Sequence, residues 1–299
     1  MPSLREIRRK IRSVKSTEQI TRAMKMVAAA RMRRSQAAII SARPFAVKME
    51  ELVRALAAVE EVQAAGEGRA ARLHPFFAAP AGGPEALVLV TADKGLCGAF
   101  NSNLLRAAIA WLRERRGRRP QVAVVGRKGR EFLRRLGGAD CEVIAELAGI
   151  FPKVSFVHAE LLGKAVVDAY NEKGLSSVTV IYNEFKSVVS QRLLSVRLLP
   201  IPPSPPGRSP EELAGVSFEP ERERLLDALL SRYLKAQLYR ILLESQAAEL
   251  AARMNAMEAA SKKAEEVREA LNLSLNRQRQ AIITKEIAEL VGGAEALAA

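Results

Sequence analysis

The sequence predicts an α/β protein in which long N- and C-terminal helices pair as an antiparallel coiled coil around an inserted, small, mostly parallel α/β domain. Three observations lead there. The last eighty residues contain no proline after Pro220 and no glycine before Gly292, and they are dominated by the strongest helix formers. The first sixty carry a second helical apolar pattern. The middle alternates short apolar runs with helical segments, the mark of a parallel sheet.

The C-terminal stretch is the longest. At 1.5 Å per residue, about 70 residues make one helix on the order of 105 Å long. Leu250, Met254, Met257, Ser261, Ala264, Arg268, Leu271, Leu275, Gln278 and Ile282 follow steps of four and three, the seam of a left-handed coiled coil. A helix with one apolar stripe draws its stability from packing and needs a partner.

The first helix supplies it. Leu4, Ile7, Ile11, Val14, Thr17, Ile20, Met24 and Val27 step down one face, and Met49, Leu52, Leu56 and Val59 resume the spacing. Pro44 predicts a kink or break near Ala42 or Arg43. Two such helices satisfy each other if they run antiparallel, with the middle of the chain looped out.

Between them, 64–84 is rich in Ala, Gly and Pro and predicts a linker. Ala86–Thr91 (ALVLVT) is a doubly buried strand, followed by a helix over Ser102–Arg116. Gln121–Val125 is a second strand, Gly129–Leu136 a short helix and Cys141–Ala145 a third strand. Phe156–Glu172 is a helix, Ser177–Tyr182 a strand, and Lys186–Leu199 a further strand or hairpin arm. Seven prolines in 200–220 make a stiff connection back to the last helix. The expected divisions are 1–63 (first helix), 64–84 (linker), 85–200 (α/β domain), 201–219 (proline-rich linker), 220–293 (last helix) and 294–299 (tail).

Composition narrows the function. The 299 residues carry a formal net charge of +14, are 48% apolar and only 5% aromatic. Residues Met1–Gln36 hold eleven Lys or Arg against two acids, Glu6 and Glu18, too one-sided for i,i+4 pairing to neutralise. An acidic partner is expected. Cys97 and Cys141 have no CxxC or His/Cys spacing for zinc, and read as reduced thiols. No apolar run is long enough to span a bilayer, and MPSLREIRRK is no secretory signal.

Catalytic chemistry is scarce. Thr91–Asn103, TADKGLCGAFNSN, follows a strand and opens a helix, so it is the best phosphate-loop candidate for a small α/β nucleotide-binding enzyme. Yet no GxxxxGK[ST] exists, and Gly95-Leu-Cys-Gly98 does not match GxGxxG. Asp93 and Lys94 form a charged turn; His74 and His158 stand apart; no catalytic constellation is visible. A basic coiled-coil nucleic-acid-binding protein is the other alternative, but the basic charge overlaps the seam itself and lacks stacking aromatics.

Three segments taken together resemble the γ subunit of F-type ATP synthases: IRRKIRSVKSTEQITRAMKMVAAARMRRSQ from Ile7, TADKGLCGAFNSN from Thr91, and Ala252–Met257 with Asn276–Ile287. The resemblance implies a non-catalytic central-stalk rotor, without cofactor or metal, inside three α and three β subunits. It implies contacts of the base with ε and the c-subunit ring, and coupling of ring rotation to the catalytic β subunits. The implied location is peripheral, on the cytoplasmic face of the cell inner membrane, with membrane contact only through partner subunits and no nucleic acid. By matching motifs, Met24, Lys25, Arg253, Arg279, Gln280 and Thr284 contact α and β. Ile282, Ile283, Ile287, Leu290 and Val291 form a tip turning in an apolar bearing. Lys262-Lys263 and Leu275 depart from the family pattern at local contacts. The paired-cysteine insertion of chloroplast versions is missing, and the lack of a presequence suggests a bacterial type.

Overall fold

In the computed structural model, residues 3–66, 74–77, 82–136, 141–151, 153–201 and 222–298 are described. The elements are α1 (Leu4–Gly66), β1 (Glu85–Val90), α2 (Phe100–Glu114), β2 (Gln121–Val125), α3 (Arg127–Arg135), β3 (Glu142–Leu147), α4 (Phe156–Glu172), β4 (Ser177–Phe185), β5 (Gln191–Leu199) and α5 (Arg222–Ala298). The expected connection 201–219 beyond Ile201 and most of the linker 64–84 lie outside the described residues. Two compact units result: Met1–Ala28 with Met254–Ala299, and Ala29–Arg253.

The first unit is the paired helix ends. Glu18 Oε2 accepts from Arg268 Nε at 3.0 Å, Thr21 Oγ1 meets Ser261 Oγ at 2.7 Å, and Lys25 pairs with Glu258. Partner numbers on α5 fall as those on α1 rise, so the helices are antiparallel. Ile7, Ile11, Val14, Glu18, Thr21, Lys25 and Ala28 are shielded here in a strict alternation of fours and threes, with Leu4 one step before them and Met24 half-buried beside Lys25. That is the 3.5-residue repeat of a left-handed coiled coil.

This corrects the sequence reading of α1 beyond Val14. Thr17 is exposed, and Ile20 and Val27 are 56% and 52% exposed. Residues were assigned to the seam by apolarity, whereas polar Glu18, Thr21 and Lys25 hold it through bonds to α5. On α5 the reading holds: Met254, Met257, Ser261, Ala264, Arg268, Leu271, Leu275 and Gln278 are all shielded. The exception is Ile282, because every residue from Arg279 to Gly293 is exposed.

The second unit, Ala29–Arg253, is a three-layer α/β domain that includes the adjoining parts of α1 and α5. Strand order is β3-β2-β1-β4-β5, with β1, β2, β3 and β4 parallel and β5 antiparallel to β4 at the edge. The near-continuous burial of β1, from Ala86 on, and of β2 reflects helices on both faces. On one face α4 brings Leu162 and Val166, and α5 brings Leu230, Leu234, Leu238 and Leu242, one residue per turn. On the other, Leu104, Ala108 and Trp111 of α2 and Leu133 of α3 cover Leu87, Leu89, Val122 and Val124. Ser155 and His158 form the capping box that starts α4.

Three details depart from expectation. The helix α1 runs through Pro44 without interruption. Proline removes one N–H, and neighbouring Ala42, Ala46 and Met49 stay packed, which holds the helix together. Phe76, in the presumed linker, is buried at 4% against Tyr170, and His74 beside it pairs with Asp227 at 2.8 Å. Finally, α5 continues past Gly292 and Gly293 to Ala298.

Leu238 is fully buried where α5 meets the sheet. Truncation loses both transfer energy and the contacts lining the cavity. Leu238→Ala is expected to destabilise the chain by about 2–5 kcal/mol, read as a lowered midpoint in denaturant unfolding.

Candidate functional site

The loop that follows β1 is built inward. Asp93 accepts three backbone N–H bonds: from Arg127 at 3.0 Å, Gly149 at 2.8 Å and Phe151 at 3.0 Å. Thr91 Oγ1 donates to Val125 O and accepts from Gly129 N. Asn101 accepts from Ala92 N and donates to Lys94 O and Cys97 Sγ. Gly126, at φ +92°, passes so close that a Cβ would stand 2.2 Å from Thr91 O. Asp93 thus ties the loop to the start of α3 and to the segment that follows β3. The cleft beside the loop measures about 30 Å³, against ~300 Å³ or more for a ligand site. Burial, then Glu249, push the Cys97 thiol above its ordinary range, away from nucleophilic chemistry. Neither the cleft nor the thiol supports the phosphate-loop reading.

Instead the loop anchors α5. Arg253 Nη2 donates to Gly95 O at 3.0 Å and lies 2.5 Å from Glu249 Oε1. The side chains of Arg253 and Glu249 are 14% and 4% exposed. Burial pushes the Glu249 carboxyl up to about 7; Asp93 adds to the rise, while Arg253, Arg31 and Lys94 oppose it.

The other expected contact residues divide by position. Met24 is half-buried, and Lys25 is held by Glu258. Arg279, Gln280 and Thr284 are exposed on the unpaired end of α5. Ile282, Ile283, Ile287, Leu290 and Val291 are 38%, 43%, 55%, 74% and 54% exposed. A contiguous apolar surface of this kind marks an interaction site. Ile20 and Val27, with Met26 at 61% exposure, make a second outward apolar surface along α1, and the half-buried Met24 lies at its margin. Reading Ile20 and Val27 as seam had hidden it; a strict 3.5-residue count from Ile7 would have exposed it. Leu96, 65% exposed at φ +62°, is a further outward apolar residue at the tip of the loop.

The unpaired end of α5 exposes apolar side chains, and the cleft beside the loop is too small for a substrate. The family model described as ATP synthase matches residues 3–297. An ATP synthase gamma chain from Elusimicrobium minutum is 43% identical over 99% of both chains. One from Anaeromyxobacter sp. strain K is 45% identical over 99% of this chain and all of its own. Among solved structures, the central stalk/c-ring of Tetrahymena thermophila mitochondrial ATP synthase matches at 28% identity and a TM-score of 0.60. That match covers 81% of this chain and 99% of the other. The chain belongs to the ATP synthase gamma family, central-stalk subunits that are not themselves catalytic. No helix among the described residues is long and apolar enough to cross a membrane.

Glu249 has a consequence that can be read by titration. Its folded pKa near 7 lies above the ordinary carboxylate value, so the folded state holds a proton that the unfolded state releases. Its contribution is fully present below about pH 4.5 and is lost as pH rises through 7, a difference of roughly 3 kcal/mol. Glu249→Gln is expected to flatten the fall in melting temperature between pH 5 and 8; an unchanged slope would refute the assignment.

Proposed function

We propose that this chain is the rotor of an F-type ATP synthase, standing within three α and three β subunits and carrying ε and the c ring at its base. The observation that carries this is the free end of α5, where apolar side chains lie exposed beyond the last shielded seam position. Ile282, Ile283, Ile287, Leu290 and Val291 would turn inside an apolar collar. Such a bearing has no directional bonds to break at each step.

Arg279, Gln280 and Thr284 would hydrogen-bond loops of α and β just below the tip. Met24, with Ile20 and Val27, would present that surface to the moving part of β. Lys25 would exchange Glu258 for a β carboxylate, drawn by the excess of base in Met1–Gln36. Arg253 would serve α or β contacts only by giving up Glu249 or Gly95 O, so in this reading its first role is to tie α5 to the loop. The site of action would be peripheral, on the cytoplasmic face of the cell inner membrane.

Coupling follows from asymmetry. Two unlike helices have no threefold symmetry, so three identical β subunits meet three different faces. Taking a two-state subunit from 1:99 to 99:1 needs about 5.5 kcal/mol of differential contact. A few charged hydrogen bonds and buried side chains are of that size. Rotation permutes the faces, and torque and nucleotide affinity become reciprocally linked.

The test is size-exclusion chromatography of this chain with α and β, with ATPase assayed on each fraction. One peak holding three α, three β and one copy of this chain, active where the free chain is not, supports the rotor reading; separate elution ends it. Within that complex, Arg279→Ala with Gln280→Ala is expected to lower ATPase activity while circular dichroism of the free chain stays unchanged. Full activity in the double variant would remove those two residues from the contact.

A further inference from the structure

A second basic segment matches the first in strength. Arg106–Arg135 holds ten Arg and one Lys against Glu114 and Glu131. Some of this charge is used locally. Arg115 pairs with Glu85 and Glu114 and lies 4.1 Å over Trp111, and Lys128 pairs with Glu131. Arg106, Arg113, Arg116, Arg119, Arg134 and Arg135 are exposed and have no ion pair among the described residues.

The fold gathers five of these six. Arg113 ends α2, and Arg116 and Arg119 follow in the turn beyond it, at the edge where β1 and β2 begin. The helix α3 starts directly after β2 and packs on the same face as α2, so its last turn, with Arg134 and Arg135, returns to that edge. The acids nearby are already matched, Glu85 by Arg115 and Glu142 by Lys173. Helix dipoles favour cations in a last turn, which accounts for Arg113, Arg134 and Arg135 but not for Arg116 and Arg119 beyond the helix.

We infer that this arginine edge docks on the phosphate headgroups of an anionic lipid surface. The bias to Arg over Lys favours phosphate, which a planar guanidinium grips with two parallel bonds. Aromatics that could stack on bases are withdrawn, Trp111 buried and Phe132 half-buried, which disfavours single-stranded nucleic acid. The choice of lipid as the phosphate source rests on the rotor reading, which sets the chain beside a membrane. It adds a direct membrane contact where the family resemblance implied contact through partner subunits alone. Headgroups are fluid, so attraction to them holds the edge close without fixing its angle.

The experiment is flotation of the full chain with phosphatidylcholine vesicles, with and without phosphatidylglycerol, beside a DNA duplex arm. All proteins carry Arg8→Gln, Arg9→Gln, Arg12→Gln and Lys15→Gln, which remove the competing basic helix. Adding Arg113→Gln, Arg116→Gln, Arg119→Gln and Arg134→Gln is expected to weaken binding to the anionic vesicles about 100-fold or more, from roughly fivefold per arginine. Lys at the same four positions is expected to keep most of the binding, which damage to the fold would not. Equal flotation of the Gln variant overturns the inference, as does a loss confined to DNA. Failure to co-elute with α and β would strike the rotor reading alone, since flotation is scored independently of it.

Discussion

Neither long helix can stand without the other. Each presents one shielded stripe, and the energy that keeps either one helical over its length comes from packing rather than propensity. The seam that joins their ends is only partly apolar. Glu18–Arg268, Thr21–Ser261 and Lys25–Glu258 sit where a simple coiled coil would place aliphatic residues. Polar groups in a seam lower stability but specify register, since a slipped pairing would leave each of them without its partner.

The α/β domain is joined to the helices by two distinct devices. One is apolar, the leucine column of α5 against the sheet. The other is polar, the chain of contacts from Asp93 through the loop to Gly95 O, Arg253 and Glu249. The segment that most resembles a phosphate loop is thus a joint. Its carboxylate binds backbone N–H groups of Arg127, Gly149 and Phe151, which fastens the loop to its two neighbouring connections.

Sequence patterns exposed the parts whose cause is local. The bounds of α4, Phe156–Glu172, coincide with expectation because Ser155 caps its start. The α5 seam was legible because its residues are mostly apolar and evenly spaced. The α1 seam was not, because Ile20 and Val27 looked like core while Glu18 and Thr21 were doing that job through bonds to residues some 240–250 positions away. Asp93 hid its role for the same reason, its partners lying 34, 56 and 58 residues on. Phe76 hid in a segment whose composition reads as linker. The exposed tip and the outward surface on α1 could be named only once the structure showed what the seam leaves uncovered.

The register of the seam also converts counting into direction. Each residue advances an α-helix by about 100°. One residue gained or lost between Arg268 and Arg279 would swing Arg279, Gln280 and the tip residues by that angle about the helix axis, with their chemistry and the polar locks intact. Seven would bring the stripe back into phase. The length of α5 between its last polar lock at Arg268 and its free end is therefore a setting of rotational phase, and indels there act on timing before they act on stability.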